Sequence, residues 1–194
     1  MRKKIVLKLI SLENFPGWDE KLLYAALENP PSLLKWSVLF PHKEESLMAA
    51  FLDLLKETIT ALELSDTLKT HQKIMCVLKS HFDDWYAYRD AVRALFIRKH
   101  VIGNTKIAFD FADTIWNKVN DTSTDMNWYT KRGILCGIFM SCLSYWLFSG
   151  PSKKELLDYA EKHIFTVSKR MSSLKLVPAE LFRQAQILFS FFGK

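Results

Sequence analysis

A chain of 194 residues that is 49% hydrophobic and 25% charged is long enough for one domain with a substantial core and too apolar to be disordered. Its net charge of +6 and pI near 9.2 favour an acidic partner surface, an anionic membrane or nucleic acid, and do not choose among them. Cys76, Cys136 and Cys142 are an odd number without metal-ligand spacing and read as buried thiols in a reducing cytoplasm.

The opening MRKKIVLKLISLENFPGW has a basic start and an apolar stretch. That stretch is short, is interrupted by Lys8 and lacks a small-residue cleavage site, so it does not read as a signal peptide, and a transit peptide fits poorly because fold-like sequence begins almost at Met1. The expected location is the bacterial cytoplasm. Apolar periodicity predicts helices over Lys3–Leu12, Asp19–Glu28 and Ser32–Phe40, with breaks at Pro16-Gly17, Pro30-Pro31 and Pro41. These three short helices followed by LFPHKEESLMAAF resemble the helix-turn-helix head of TetR-type regulators. The would-be recognition helix over 31–39 offers Lys35 as its only charge, and Leu33, Leu34, Trp36 and Val38 are poor readers of base edges. Residues 1–42 therefore read as a degenerate head, and nucleic acid is not an expected partner.

Further helices are predicted over Lys43–Leu62, Asp66–Phe82, Asp84–His100, Lys106–Val119, Asp125–Phe148 and Lys153–Ser172. Breaks are expected at Gly103-Asn104 and Gly150-Pro151. Ile107, Phe111, Ile115 and Val119 form one stripe, with Ala108, Ala112 and Trp116 beside it. From Gly133 to Gly150 the chain carries no charge, which touches the length of a membrane span. Gly133, Gly137, Ser141, Ser144 and Ser149 lower its hydrophobicity, and no second span is there to pair with it, so a buried helix is expected. Gly133, Gly137 and Ser141 share a face that would let another helix come close, in a homodimer for example. Beyond Pro178 an amphipathic helix over Ala179–Phe192 sets Leu181, Phe182, Leu188, Phe189 and Phe192 on one face. That face fits either its own domain or a membrane interface, with Lys169, Arg170 and Lys175 upstream.

The run Asp121-Thr-Ser-Thr-Asp-Met-Asn-Trp-Tyr-Thr-Lys-Arg132 is the most informative in the chain. Ser, Thr and Asp suit a helix start, and Trp128, Tyr129, Lys131 and Arg132 follow within two turns. Aromatics beside Arg are the residue types that anchor protein partners; the plain alternative is two half-buried rings with two solvated cations. The string STDMNWYTKR, preceded by ADTIW and followed by Ile134 to Leu147, resembles the signature of the ubiquinone-biosynthesis accessory proteins. Met126 stands where that family usually has Phe, and Gly150-Pro151-Ser152 where an acidic turn is common.

The resemblance implies an all-α, TetR-like domain of about nine or ten helices. It would comprise the degenerate head 1–42, a lipid-binding helical core 43–176 and an amphipathic C-terminal helix 177–194 that engages the membrane surface. It further implies a non-catalytic protein that binds an isoprenoid quinone and presents it to the demethoxyubiquinone hydroxylase, peripherally on the inner membrane and as a homodimer. Candidate lipid-lining residues are Phe82, Trp85, Ile115, Trp116, Leu135 and Phe139, which are large, apolar and on faces expected to converge. Trp128, Tyr129, Lys131 and Arg132 are the expected docking surface for the hydroxylase. The rival reading is a TetR-type transcriptional regulator.

Catalytic patterns are not found in the sequence. The five histidines, His42, His71, His81, His100 and His163, form no Glu-x-x-His or His-Glu-x-x-His spacing. Asp83 and Asp84 are helix neighbours that point apart. No metal and no cofactor is expected.

Overall fold

The computed structural model describes residues 2–11, 15, 17–18 and 37–173. Among them the chain is all-α, with seven α-helices and no strand. These are α1 (Arg2–Ile10), α2 (Lys43–Ala61), α3 (Thr70–Trp85), α4 (Arg89–Arg98), α5 (His100–Lys118), α6 (Asp125–Ser144) and α7 (Lys153–Ser173). A 3-10 turn, Tyr86–Tyr88, joins α3 to α4, and a π-helical turn, Tyr145–Ser149, closes α6. The expected helix over 19–28, most of the recognition helix over 31–39 and the terminal helix with Leu181, Phe182, Leu188, Phe189 and Phe192 lie outside the described residues.

The most extensive pairing is between α5 and α6, with α3 against α7, α2 against α3, and α1 against α2 around them. The stripe predicted on α5 is the core face: Ala108, Phe111, Ala112 and Ile115 are fully buried. Ile5, Val6, Leu9 and Ile10 of α1 enter the same core cluster. Trp18 does so too, its indole N–H donating to the Ala91 carbonyl at 3.1 Å and its ring lying 5.0 Å from Phe51. Residues on both sides of position 42 thus share one packed core.

The uncharged run is a helix with one face in the core. Asn127–Ser149 is long and apolar enough to cross a membrane, with a mean hydropathy of 1.3. Leu135, Phe139, Cys142, Leu143, Trp146 and Leu147 nevertheless face the core. On its small-residue face, Ser141 shares a 2.7 Å hydrogen bond with the Tyr159 hydroxyl of α7, whereas a side chain at Gly137 would meet open space.

Three expectations are corrected. No break falls at Gly103-Asn104, which lie inside α5; the chain turns at Lys99 instead. The Asn104 side chain, 5% exposed, donates to the Phe96 carbonyl at 2.6 Å and ties the new helix to the end of the old one. Gly103 fits because a Cβ there would stand 3.2 Å from that of Lys99. The helix expected over 84–100 is split by the Tyr86–Tyr88 corner. Arg89 there donates to the Leu147 carbonyl at 2.8 Å, and the Tyr86 hydroxyl to the Pro151 carbonyl at 2.7 Å. The first satisfies an acceptor that the π turn releases before Gly150 reverses the chain at φ 62°, and the second holds the residue just after that reversal. Cys76, expected to be buried, is exposed. Cys136 and Cys142 are buried, and burial raises both thiols, the second to about 12.

Candidate functional site

The signature run builds a corner around one arginine. Asp113 and Asn117 are one turn apart on α5, Trp128 and Arg132 one turn apart on α6, so each pair shares a helix face. Between the helices, Asn120 takes a left-handed conformation (φ 59°) that Asn tolerates, and the Asp121 amide donates to the Trp116 carbonyl at 3.0 Å. Arg132 is 1% exposed. Its Nε meets Asp113 at 2.5 Å, its Nη1 meets Asp121 at 3.2 Å, and its Nη2 donates to the Asn117 side chain at 3.3 Å. The guanidinium lies 4.0 Å from the centre of the Trp128 ring. Asp121, 6% exposed, also accepts from Lys131 at 2.7 Å and from Ser123. Burial alone would raise the Asp121 carboxyl, but the hydrogen bonds and charge of Lys131, with Ser123 and Arg132, outweigh it and bring the pKa to about 2.

This geometry corrects the docking expectation for Arg132. A guanidinium held by two carboxylates beneath an indole has no face to offer a partner; it fixes the corner. Of the other three residues, Tyr129 is 47% exposed, stacked edge-on at 4.8 Å against a half-buried Trp128. Lys131 turns the other way. Its Nζ lies 5.2 Å from the Trp116 ring centre, and the Trp116 N–H donates to the Lys131 carbonyl at 3.1 Å.

Lys131 and Trp116 stand at one end of a groove of about 290 Å³ between α3, α5, α6 and α7. Its walls are Ile74 of α3, Ile134, Leu135 and Ile138 of α6, and Ile164 and Val167 of α7, with Thr70 and His71 from the first turn of α3. A second, smaller space of about 30 Å³ lies inside the core, bounded by Trp85, Phe111, Phe139, Leu143 and Trp146, with His81 and Asn104. It is of water size. The Asn104 carbonyl oxygen and the Trp146 indole N–H, both buried at this space, have no protein partner. The His81 ring sits among Phe82, Phe111 and Phe139, its centre 5.2–5.9 Å from theirs. Burial drives its pKa down to about 3, so the imidazole is neutral.

The six lipid-lining candidates divide. Trp116 and Leu135 line the groove, Trp85 and Phe139 bound the internal space, and Phe82 and Ile115 are fully buried core. Sequence reasoning missed Ile74, Ile134, Ile138, Ile164 and Val167, because the lining is shared among four helices and no single stretch shows the groove. It also missed Asp113, Asn117 and Asp121. The i,i+4 pair of Asp113 and Asn117 beside the apolar stripe of α5 was the signal available for these. Among the described residues, no group of three His, Cys, Asp or Glu is placed to hold a metal.

Comparison with known proteins finds similarity over the stretch that holds the corner and all of the groove except its α3 wall. Residues 103–170 match the COQ9 family model, a stretch that contains α6, most of α5 and most of α7. The chain is 27% identical over 119 residues to the mitochondrial ubiquinone biosynthesis protein COQ9-B of Xenopus laevis, covering 61% of this chain and 39% of that protein. A probable mitochondrial ubiquinone biosynthesis protein of Dictyostelium discoideum is 25% identical over 87 residues, 44% of this chain and 27% of that one. The mitochondrial COQ9 of Rattus norvegicus is 26% identical over 76 residues, 39% and 22% of the two chains. The matched stretch thus spans well under half of these relatives. The similarity to COQ9 proteins lies in this stretch, and the resemblance drawn from its signature run to the ubiquinone-biosynthesis accessory family holds. These relatives are named as mitochondrial, so the bacterial cytoplasm expected from the sequence has no support among them.

Proposed function

We propose that this protein takes part in ubiquinone biosynthesis without catalysing a step itself, by holding the isoprenoid part of a quinone intermediate in the groove and presenting it to the demethoxyubiquinone hydroxylase at a membrane surface. The observation that carries the reading is the groove of about 290 Å³, walled by Ile, Leu, Val and Trp side chains that, apart from Ile74, belong to the COQ9-like segment. An isoprenoid chain is costly to expose to water, and a largely apolar cleft near 300 Å³ is at the small end of ligand sites. It suits a head and the first isoprene units, with the remaining tail left to a membrane. Trp128 and Tyr129, displayed on the other side of the same corner, would then meet the hydroxylase. Lipid extraction tests the central step. Protein purified from quinone-producing cells should carry an isoprenoid quinone by mass spectrometry, and Ile138→Trp, which fills the groove, should stay folded and lose it. Equal lipid in the variant, or none in the parent, refutes the reading.

A further inference from the structure

We infer that the groove is directional, taking a neutral hydrogen-bond-accepting carbonyl head at Lys131 and Thr70 and the apolar chain toward Ile138. This rests on the groove being the lipid site. The helix registers settle which residues share an end. The Trp116 indole bonds the Lys131 carbonyl, so the end of α5 lies at the start of α6. A short turn joins the end of α6 to the start of α7 and Ser141 bonds Tyr159, so the two helices run antiparallel, and Val167 of α7 lies back toward Lys131. Lys153 pairs with Asp83 at 2.7 Å, so α3 and α7 are antiparallel too, which carries Thr70 and His71 to the level of Val167. All three polar lining residues therefore cluster at one end with Trp116. Leu135 and Ile138 lead away from it, one and two turns along α6 from Lys131.

Charge at that end selects the head. Lys131 and Arg132 face Asp113 and Asp121, two cations for two carboxylates, so the corner is already neutral. An added carboxylate or phosphate would compete with Asp121 for Lys131 and repel it. A neutral carbonyl does not. The ammonium has three N–H donors, of which Asp121 takes one, and the Thr70 hydroxyl adds another from the opposite wall. A site that donates to a carbonyl, lies beside an indole face and continues into an apolar trough suits a prenylated quinone better than a fatty acid or prenyl phosphate.

The test titrates the full chain with three probes of equal chain length: a two-isoprene benzoquinone, the two-isoprene hydrocarbon and the two-isoprene carboxylate. The quinone should bind tightest. Lys131→Met should weaken the quinone about tenfold, as for loss of a charge-assisted hydrogen bond, and leave the hydrocarbon unchanged. Thr70→Val, at an exposed position, provides a second variant whose folding is not in question, and it should weaken the quinone alone by a few fold. Equal loss for quinone and hydrocarbon, no loss in either variant, or a preference for the carboxylate overturns the inference while leaving the groove a lipid site. If none of the probes binds and Ile138→Trp changes nothing, the lipid reading fails first and takes the inference with it.

Discussion

The two ends of α6 both send side chains into the interior, yet they are held by opposite physics. At its start Arg132 is fixed by two carboxylates, an amide and an indole face, each with a required direction. At its end Phe139 and Trp146 lie in a ring-packed centre with Phe82 and Phe111, at centroid distances of 5.2–6.1 Å. Contacts of the second kind are numerous and weakly directional, and they tolerate small shifts. Those of the first are few, and each is costly to remove singly, because its partner stays behind as a buried charge. The polar corner is thus where geometry is specified, and it is also where the groove mouth and Tyr129 are positioned.

The largest effect should come from breaking the corner. Arg132→Ala leaves Asp121 buried without its guanidinium, and breaking one partner of a buried pair costs about 3–5 kcal/mol. Urea unfolding should show that loss, with Arg132→Lys recovering only part of it because one ammonium cannot meet both carboxylates and Asn117. A loss below about 1 kcal/mol would mean that the corner is no more specified than the aromatic end.

Acid should then separate the two ends. His81 has an ordinary pKa near 6.5 and one of about 3 when folded. A folded pKa below the unfolded one contributes stability that is full above the unfolded value and is lost as pH falls toward the folded one, here from about pH 6.5 down to 3. Between pH 7 and 5 the parent should lose about 2 kcal/mol from this group. In His81→Leu the same interval should cost far less, whatever its stability at pH 7. Asp121 follows the same sign in a lower window, from about pH 4 to 2. An acid transition that is unchanged in His81→Leu would place the sensitivity in the ionic corner instead.

A smaller effect is expected where α6 stops. Gly150 is left-handed at φ 62°, and an added Cβ would come within 3.2 Å of the Arg89 guanidinium that bonds the Leu147 carbonyl. Gly150→Ala should cost about 1–2 kcal/mol in urea unfolding. A neutral result would show that Arg89 yields readily and that the π turn does not depend on this cap.

Periodicity made much of this legible. The stripe of Phe111 and Ile115 and the uncharged run of α6 predict two buried helices, because a 3.6-residue repeat is a local property. Gly103-Asn104 misled for the same reason: read locally they break a helix, and only contacts to Lys99 and Phe96 show why they sit inside one. Arg132 is the sharper case. Composition puts arginine at the surface, and its burial depends on Asp113, Asn117 and Asp121, brought together only when α5 and α6 pair. The resemblance rests on ten residues and could not tell which of them face inward.

Tyr129→Ala should have the smallest effect on stability and the most selective effect on function. Its ring is 47% exposed, and its described aromatic contact is with Trp128, so its removal should change stability by no more than about 0.5 kcal/mol. If this ring and Trp128 form the docking surface, the truncation should still cost about 2 kcal/mol of binding, roughly thirtyfold in affinity for the hydroxylase. Trp128→Ala cannot make the same separation, because its indole also covers the Arg132 guanidinium; it should lose stability and binding together. Melting temperature and hydroxylase pull-down, measured on both variants, therefore discriminate the roles. A Tyr129→Ala protein that melts like the parent and no longer captures the hydroxylase assigns docking to the exposed side of the corner. One that melts like the parent and captures it normally removes docking from this surface, leaving Trp128 as a lid on the arginine and nothing more.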